Sequence, residues 1–377
     1  MRGHIQRRGN SYRIAVSAGF DPVTGKRRQI FRTVRGTKRE AERELVRLLR
    51  EADQGTIADS GRLTVAEYLT DQWLPHMAQR VRPRTHLRYG QLIQQHVVPR
   101  IGSLSLRKLR PSHIQSVIDR ILADGLAPRT ALHAFRVLSE ALRQAVRWQL
   151  LAVNPATAIQ PPRPGRYQVV VPDSQVVGRI LELARGTRLY VLLVVAAGTG
   201  MRRGEVLGLK WSNVDLDARL ARVVVSLERA GREMHFAEPK TQRARRTVAL
   251  PPFVIEDLRR HRREQAERRL LAGLAWQDLN LVADRGDGGP IDPDAFSAAF
   301  ATLAEKAGCP DVRLHDLRHA YATRLLEANV HPKIVSEALG HSTVGFTLDV
   351  YSHVVPSLQE HAARAIEEAL GQAARQP

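Results

Sequence analysis

A single cysteine, Cys309, occurs among 377 residues. One thiol builds neither a disulfide framework nor a cysteine-based metal site, and its isolation implies a reducing, intracellular setting. Long apolar runs are missing as well. Nothing approaches the ~20 consecutive apolar residues that cross a bilayer. Met1-Arg2-Gly3-His4 is not followed by the apolar core of a secretory signal. A soluble, cytoplasmic chain with no membrane partner is expected. The third shortage is of acid: 38 Asp and Glu stand against 58 Lys and Arg, a formal net charge of +20. That imbalance predicts a polyanionic partner, and it is front-loaded, with residues 1–160 carrying +16 of the total. Most of the bases are Arg, whose planar fork suits bidentate contact with phosphate. With 43% hydrophobic residues the chain still has enough apolar material for ordinary cores.

Residues 1–56 read as a small module of three strands and a helix. Tyr12, Ile14 and Val16 alternate, Ile30–Val34 makes another strand, and a shorter one near His4–Arg7 pairs through Gly9-Asn10. Thr37-Lys38-Arg39-Glu40 is a capping box that opens a helix carrying Ala41, Leu45, Leu48 and Ala52. Arg27, Arg28 and Arg32 are candidates for DNA contact, with a solvated charged face as the plainer reading. After a linker at 57–62, residues 63–160 read as a four-helix domain. Its helices open at Thr64, Arg82-Pro83, Pro111 and Pro128, and the second is expected to end at Pro99. Arg82, Arg84, Arg107, Lys108 and Arg129 lie at helix starts, where backbone N–H groups also favour phosphates. A second linker, 161–171, contains Pro161-Pro162-Arg163-Pro164-Gly165. The remainder, 172–377, reads as α+β. It has helices from Asp173 and over 189–197, a helix from Arg202, and three short strands at 222–227, 233–237 and 246–250. Helices follow near 252–270, 293–307, 315–328 and 331–339. The whole is multidomain and mainly α, with small sheets.

Five short motifs in this last region carry the chemistry. In order they are Thr199-Gly200-Met201-Arg202-Arg203-Gly204-Glu205, Glu238-Pro239-Lys240-Thr241, His315-Asp316-Leu317-Arg318-His319, Leu339-Gly340-His341 and, ten residues on, Tyr351. Two arginines, a lysine, two histidines and a late tyrosine can together attack a phosphodiester without a metal. Singly each has a simpler place. Arg202 suits a solvated helix start, His341 a helix cap, and Tyr351 a core ring with its hydroxyl on a carbonyl. Lys240 has rivals in Arg243, Arg245 and Arg246. No metal site is expected, because His315, His319 and His341 lack carboxylate or thiolate partners at a ligand spacing.

As an ordered set the motifs resemble the tyrosine recombinase family, strongly over about 172–356 and more weakly over 63–160. The resemblance implies that Tyr351 is the nucleophile and forms a 3′-phosphotyrosyl link, with His315 as its base. Arg202, Arg318 and His341 would hold the non-bridging oxygens, and Lys240 would protonate the leaving 5′-oxygen. Glu205 would orient neighbouring side chains and His319 would be structural. No cofactor is implied, neither ATP nor metal. The family plan also implies a homotetramer on two duplexes. The module at 1–56 resembles the arm-site domain of integrases of the lambda type, which implies double-stranded DNA with core and arm sites as partner. A host DNA-bending protein and a directionality factor would accompany it. The apolar stripe Leu358, Ala362, Ala365, Ile366, Ala369 and Leu370 suits a tail helix, docked on its own domain or on a neighbouring protomer. Two rivals remain: a monomeric relaxase resembling type IB topoisomerases, and a non-catalytic DNA-binding regulator on a decayed scaffold.

Overall fold

A computed structural model describes residues 3–20, 27–53, 63–165, 170–238, 245–341, 343–351, 363, 366–367 and 370. Within these, the side chains of 18–20, 27–30, 51–53, 346 and 349–351 lie outside the described residues. The chain divides into two compact units, Met1–Arg166 and Tyr167–Pro377.

In the first unit, β1 (Gly3–Arg8), β2 (Ser11–Phe20) and β3 (Arg27–Arg35) form an antiparallel sheet in the order β1-β2-β3. Gly9, at φ +58°, supplies the left-handed position of the two-residue turn between Arg8 and Ser11. Register then decides which residues share a face, since directly opposed residues point the same way. One face carries Ile5 and Ile14 opposite Arg32, and Tyr12 opposite Val34. It packs on α1 (Lys38–Asp53), where Ala41 and Leu48 are buried with Ile14 and Val16. Thr37 and Glu40 cap that helix reciprocally, the Thr37 N–H reaching Glu40 Oε2 at 2.7 Å. The other face carries His4, Gln6, Arg8, Arg13, Phe31, Thr33 and Arg35.

The same unit contains a helical bundle with its own core. Its first segment runs through α2 (Val65–Glu67), a π-helical stretch and α3 (Leu74–Ala78), capped by Thr64 and Glu67 as predicted. The second begins with α4 (Pro83–Leu92), passes a π-helical stretch at Ile93–Val97 and continues as α5 (Val98–Ile101). Helical structure therefore does not end at Pro99. The proline withholds a backbone donor, and Arg100 compensates, its guanidinium donating to the carbonyls of Gln95 (3.3 Å) and His96 (2.8 Å). Then come α6 (Pro111–Ala123) and α7 (Pro128–Arg147). Tyr68, Trp73, Ile93, Leu106, Ile114 and Leu142 fill the centre, and the Tyr68 hydroxyl donates to the Ala141 carbonyl at 2.5 Å.

The second unit opens with α8 (Ser174–Ala184), capped by Asp173, and the buried α9 (Tyr190–Thr199), followed by α10 (Arg203–Leu207). Five short strands follow rather than three: β4 (Val214–Asp215), β5 (Leu220–Val223), β6 (Ser226–Ala230), β7 (Glu233–Ala237) and β8 (Arg246–Ala249). They form two sheets, β4-β5-β8 and β6-β7. The run expected as one strand over 222–227 thus splits. The physical reason lies in Gly204 and Gly208, which let the backbone of Ser226 and Leu227 press onto α10. A Cβ on Gly204 would meet Leu227 O at 2.7 Å. The remaining helices are α11 (Pro252–Ala272), α12 (Pro293–Lys306), α13 (Asp316–Glu327), α14 (Pro332–Leu339) and α15 (Val344–Tyr351). Val194, Leu207, Val248, Leu258, Phe296, Phe300 and Leu317 are among the core residues. Among the described residues no helix is long and apolar enough to cross a membrane.

Candidate active site

Helix α9 is apolar all round, buried, and ends at Gly200, whose φ of +63° closes the helix in the left-handed region. The turn throws Arg202 to the start of α10. Its backbone N–H donates to Glu205 Oε2 (2.8 Å), one guanidinium nitrogen to Glu205 Oε1 (2.8 Å), and another to the Gly340 carbonyl (3.1 Å). Arg202 keeps 39% of its side chain exposed, whereas Glu205 keeps 5%. A carboxylate so buried would ordinarily be pushed up in pKa. Hydrogen bonds and charge from Arg246, with help from Arg202, hold it below the usual value instead.

Arg318 lies one turn into α13 and is 3% exposed. Its two terminal nitrogens donate to Gly200 O (2.7 Å) and Leu339 O (2.6 Å), tying the end of α9 to the end of α14. His315 occupies the residue before α13, and His319 meets it edge-on with ring centroids 5.0 Å apart. Gly340, at φ +64°, ends α14 and presents His341, whose Nδ1 lies 2.8 Å from the hydroxyl of the fully buried Thr347 on α15.

The three imidazoles are all held neutral. Burial, then the neighbouring His319 and Arg318, bring His315 down to about 4. Burial and Arg318 bring His319 to about 4. Burial, then Arg318, Arg202 and Arg246, bring His341 to about 3. The structure thus gathers Arg202, Glu205, His315, Arg318, His319 and His341 around one cationic spot. Tyr351 is the last residue of α15, and its side chain lies outside the described residues. Lys240 lies outside them too, in the segment between β7 and β8.

Two participants escaped sequence reasoning. Arg246, read there only as a rival to Lys240, forks onto Glu205 at 3.1 and 2.8 Å and is 6% exposed. A signal was available, since it shares strand parity with the buried Val248 and so points inward. Thr347 had no such signal.

The residues proposed from sequence for DNA contact fall elsewhere. Arg84, Arg107, Lys108 and Arg129 are exposed on the helical bundle, and Arg82 is the half-buried N-cap of α4. Arg27 and Arg28 lie on β3 with side chains outside the described residues. Arg32 sits in the row facing α1, 3.8 Å from Glu44. On the opposite face Arg13 stacks over Phe31, 4.2 Å from the ring centroid.

Comparisons with known proteins converge on one family. Residues 173–357 match the phage integrase family, and residues 65–122 match the phage integrase N-terminal SAM-like domain. An integrase of Streptomyces ambofaciens is 30% identical over 366 residues, covering 92% of this chain and 90% of the relative. Among solved structures, the Tn1549 transposon integrase bound to transposon right-end DNA is similar with a TM-score of 0.68. It is 23% identical, covering 82% of this chain and 99% of that one. A lambda integrase tetramer bound to a Holliday junction is similar with a TM-score of 0.58 at 18% identity, covering 90% and 95%. By these matches the chain belongs to the phage integrase family of tyrosine recombinases, enzymes that cleave and rejoin DNA.

Proposed function

We propose that this recombinase integrates, and also excises, a phage or other mobile element through a covalent 3′-phosphotyrosine intermediate. The observation that carries the reading is the convergence of Arg202, Arg318 and three neutral imidazoles in one site. Tyr351 attacks the scissile phosphorus through its phenolic oxygen, and the bond from phosphorus to the 5′-oxygen breaks. A phenol with an ordinary pKa near ~10 needs a base. Neutral His315 takes its proton. Arg202, Arg318 and His341 hold the non-bridging oxygens as negative charge builds on them. His341 donates there from Nε2 in the tautomer whose Nδ1 accepts from the Thr347 hydroxyl, 2.8 Å away. Lys240 delivers a proton to the departing 5′-oxygen. The phosphotyrosyl bond retains the energy of the broken diester, so a 5′-hydroxyl from another duplex reverses the step on a new partner.

The division of labour follows the chain. Residues 63–160 hold the core site, 172–377 cleave it, and 1–56 hold an arm site, with joints at 57–62 and 161–171. The sheet face of Gln6, Arg8, Arg13, Thr33 and Arg35 suits the arm-site contact, because α1 leaves it uncovered and it combines hydrogen-bonding side chains with charge. The lambda integrase tetramer on a Holliday junction supports a tetrameric working form here. A DNA-bending host protein and a directionality factor would serve the arm contacts, and the protein would work in the cytoplasm on the nucleoid.

Replacing Tyr351 by Phe tests the chemistry. The variant binds a nicked core-site duplex with unchanged affinity and yields no protein–DNA adduct on a denaturing gel. Undiminished adduct would remove Tyr351 from the role.

A further inference from the structure

We propose that Arg246 is a positioning residue for DNA cleavage, acting on Arg202 through Glu205 and on the His341 turn through Ala338; this rests on the reading of Arg202 and His341 as phosphate-holding groups. Arg246 is the first residue of β8 and turns inward. Nη1 and Nη2 donate to Oε1 (3.1 Å) and Oε2 (2.8 Å) of Glu205, while Nε donates to the Ala338 carbonyl (2.6 Å). One planar fork therefore joins the start of α10 to the end of α14. From those two places the site draws Arg202 and His341. Glu205 holds Arg202 by side chain and backbone. The residues after Ala338, Leu339 and Gly340, offer their carbonyls to Arg318 and Arg202.

Removing Arg246 leaves a buried carboxylate with two fewer charge-assisted bonds. A buried charge does not keep its place when its partners are lost. Arg202 then loses the anchor that fixes its rotamer, and the turn carrying His341 loses its tie to β8. Lysine cannot replace the fork, because one ammonium does not reach both carboxylate oxygens and a carbonyl in the directions the guanidinium takes.

The test is a double-mutant cycle with full-length protein and a nicked duplex carrying the core site, following single-turnover adduct formation and DNA affinity separately. Arg246→Gln is expected to slow adduct formation about a hundredfold while affinity stays within about threefold. Adding it to Glu205→Gln slows the reaction by no more than about a further twofold, since both changes break one connection. Arg246→Lys recovers less than about a tenth of the wild-type rate, and it carries the same cycle if Arg246→Gln melts below the assay temperature. Losses that multiply in the double variant, or a folded Arg246 variant with wild-type rate, overturn the proposal. Absence of adduct from the wild-type protein would instead refute the recombination chemistry on which it rests.

Discussion

His341 shows how neighbours set the chemistry of one side chain. Burial and the surrounding guanidinium groups act in the same direction on it, as they do on His315 and His319, so each imidazole rejects a proton. The sign of the stability effect follows. An unfolded histidine binds a proton near ~6.5, whereas these three bind theirs near 4, 4 and 3 in the folded chain. Between those values the unfolded state holds more protons, so stability rises with pH. The contribution is complete above the unfolded pKa and is lost as pH falls through the folded values. The melting temperature is therefore expected to drop as pH is lowered from about 6.5 towards 4, and less steeply in His319→Gln. Equal slopes in the two proteins would place the proton uptake elsewhere. The motifs made these histidines legible in the sequence, but not their charge state, because burial and the distance to a guanidinium are tertiary quantities. Arg246 makes the same point from the other side. In the sequence it stands only as a rival to Lys240, because its place depends on Glu205, forty-one positions earlier in the chain.

Helix ends and turns place the groups, and here the sequence was legible in part. The capping boxes at Thr37 and Thr64 and the cap at Asp173 were readable because they are local contests for backbone donors. The helix across Pro99 and the split of the expected 222–227 strand were not. Each depends on a contact made by folding: Arg100 with freed carbonyls, and α10 glycines with the backbone at Leu227. Gly200 is the most exacting of these positions. Alanine there costs about 1–2 kcal/mol from the left-handed backbone alone, and its Cβ would meet Tyr321 at 2.5 Å. Because the Gly200 carbonyl also holds Arg318, Gly200→Ala is expected to lower the melting temperature and to slow adduct formation in the protein that remains folded. A stable variant with full rate would mean that Arg318 does not depend on this carbonyl.

At the scale of the molecule, charge is unevenly spread. The first 160 residues carry +16 of a total of +20, which fits binding modules joined to a more nearly balanced catalytic one. Deleting residues 1–56 is therefore expected to weaken integration at least about tenfold, through lost phosphate contacts and their salt dependence, while cleavage of an isolated core site continues. Integration by the truncated protein at the wild-type level would end the arm-site reading. Within the full chain, Arg13→Ala tests the uncovered sheet face more finely. It is expected to reduce arm-site affinity more than Arg32→Ala, because Arg32 already faces α1 and Glu44.

The order of the motifs was enough to indicate the chemistry, since attack on a phosphodiester without a metal demands a nucleophile, a base, an acid and fixed cations, whatever fold carries them. Composition likewise announced the nucleic-acid partner, because net charge is a sum that needs no geometry. Folding decided which cation steadies Glu205, which face of the sheet stays uncovered and which form of each imidazole is present. These depend on register, burial and distances between segments apart in the chain: the sheet face is settled when α1 packs on β1–β3, and the rest only when α9, α10, β8, α13 and α14 meet.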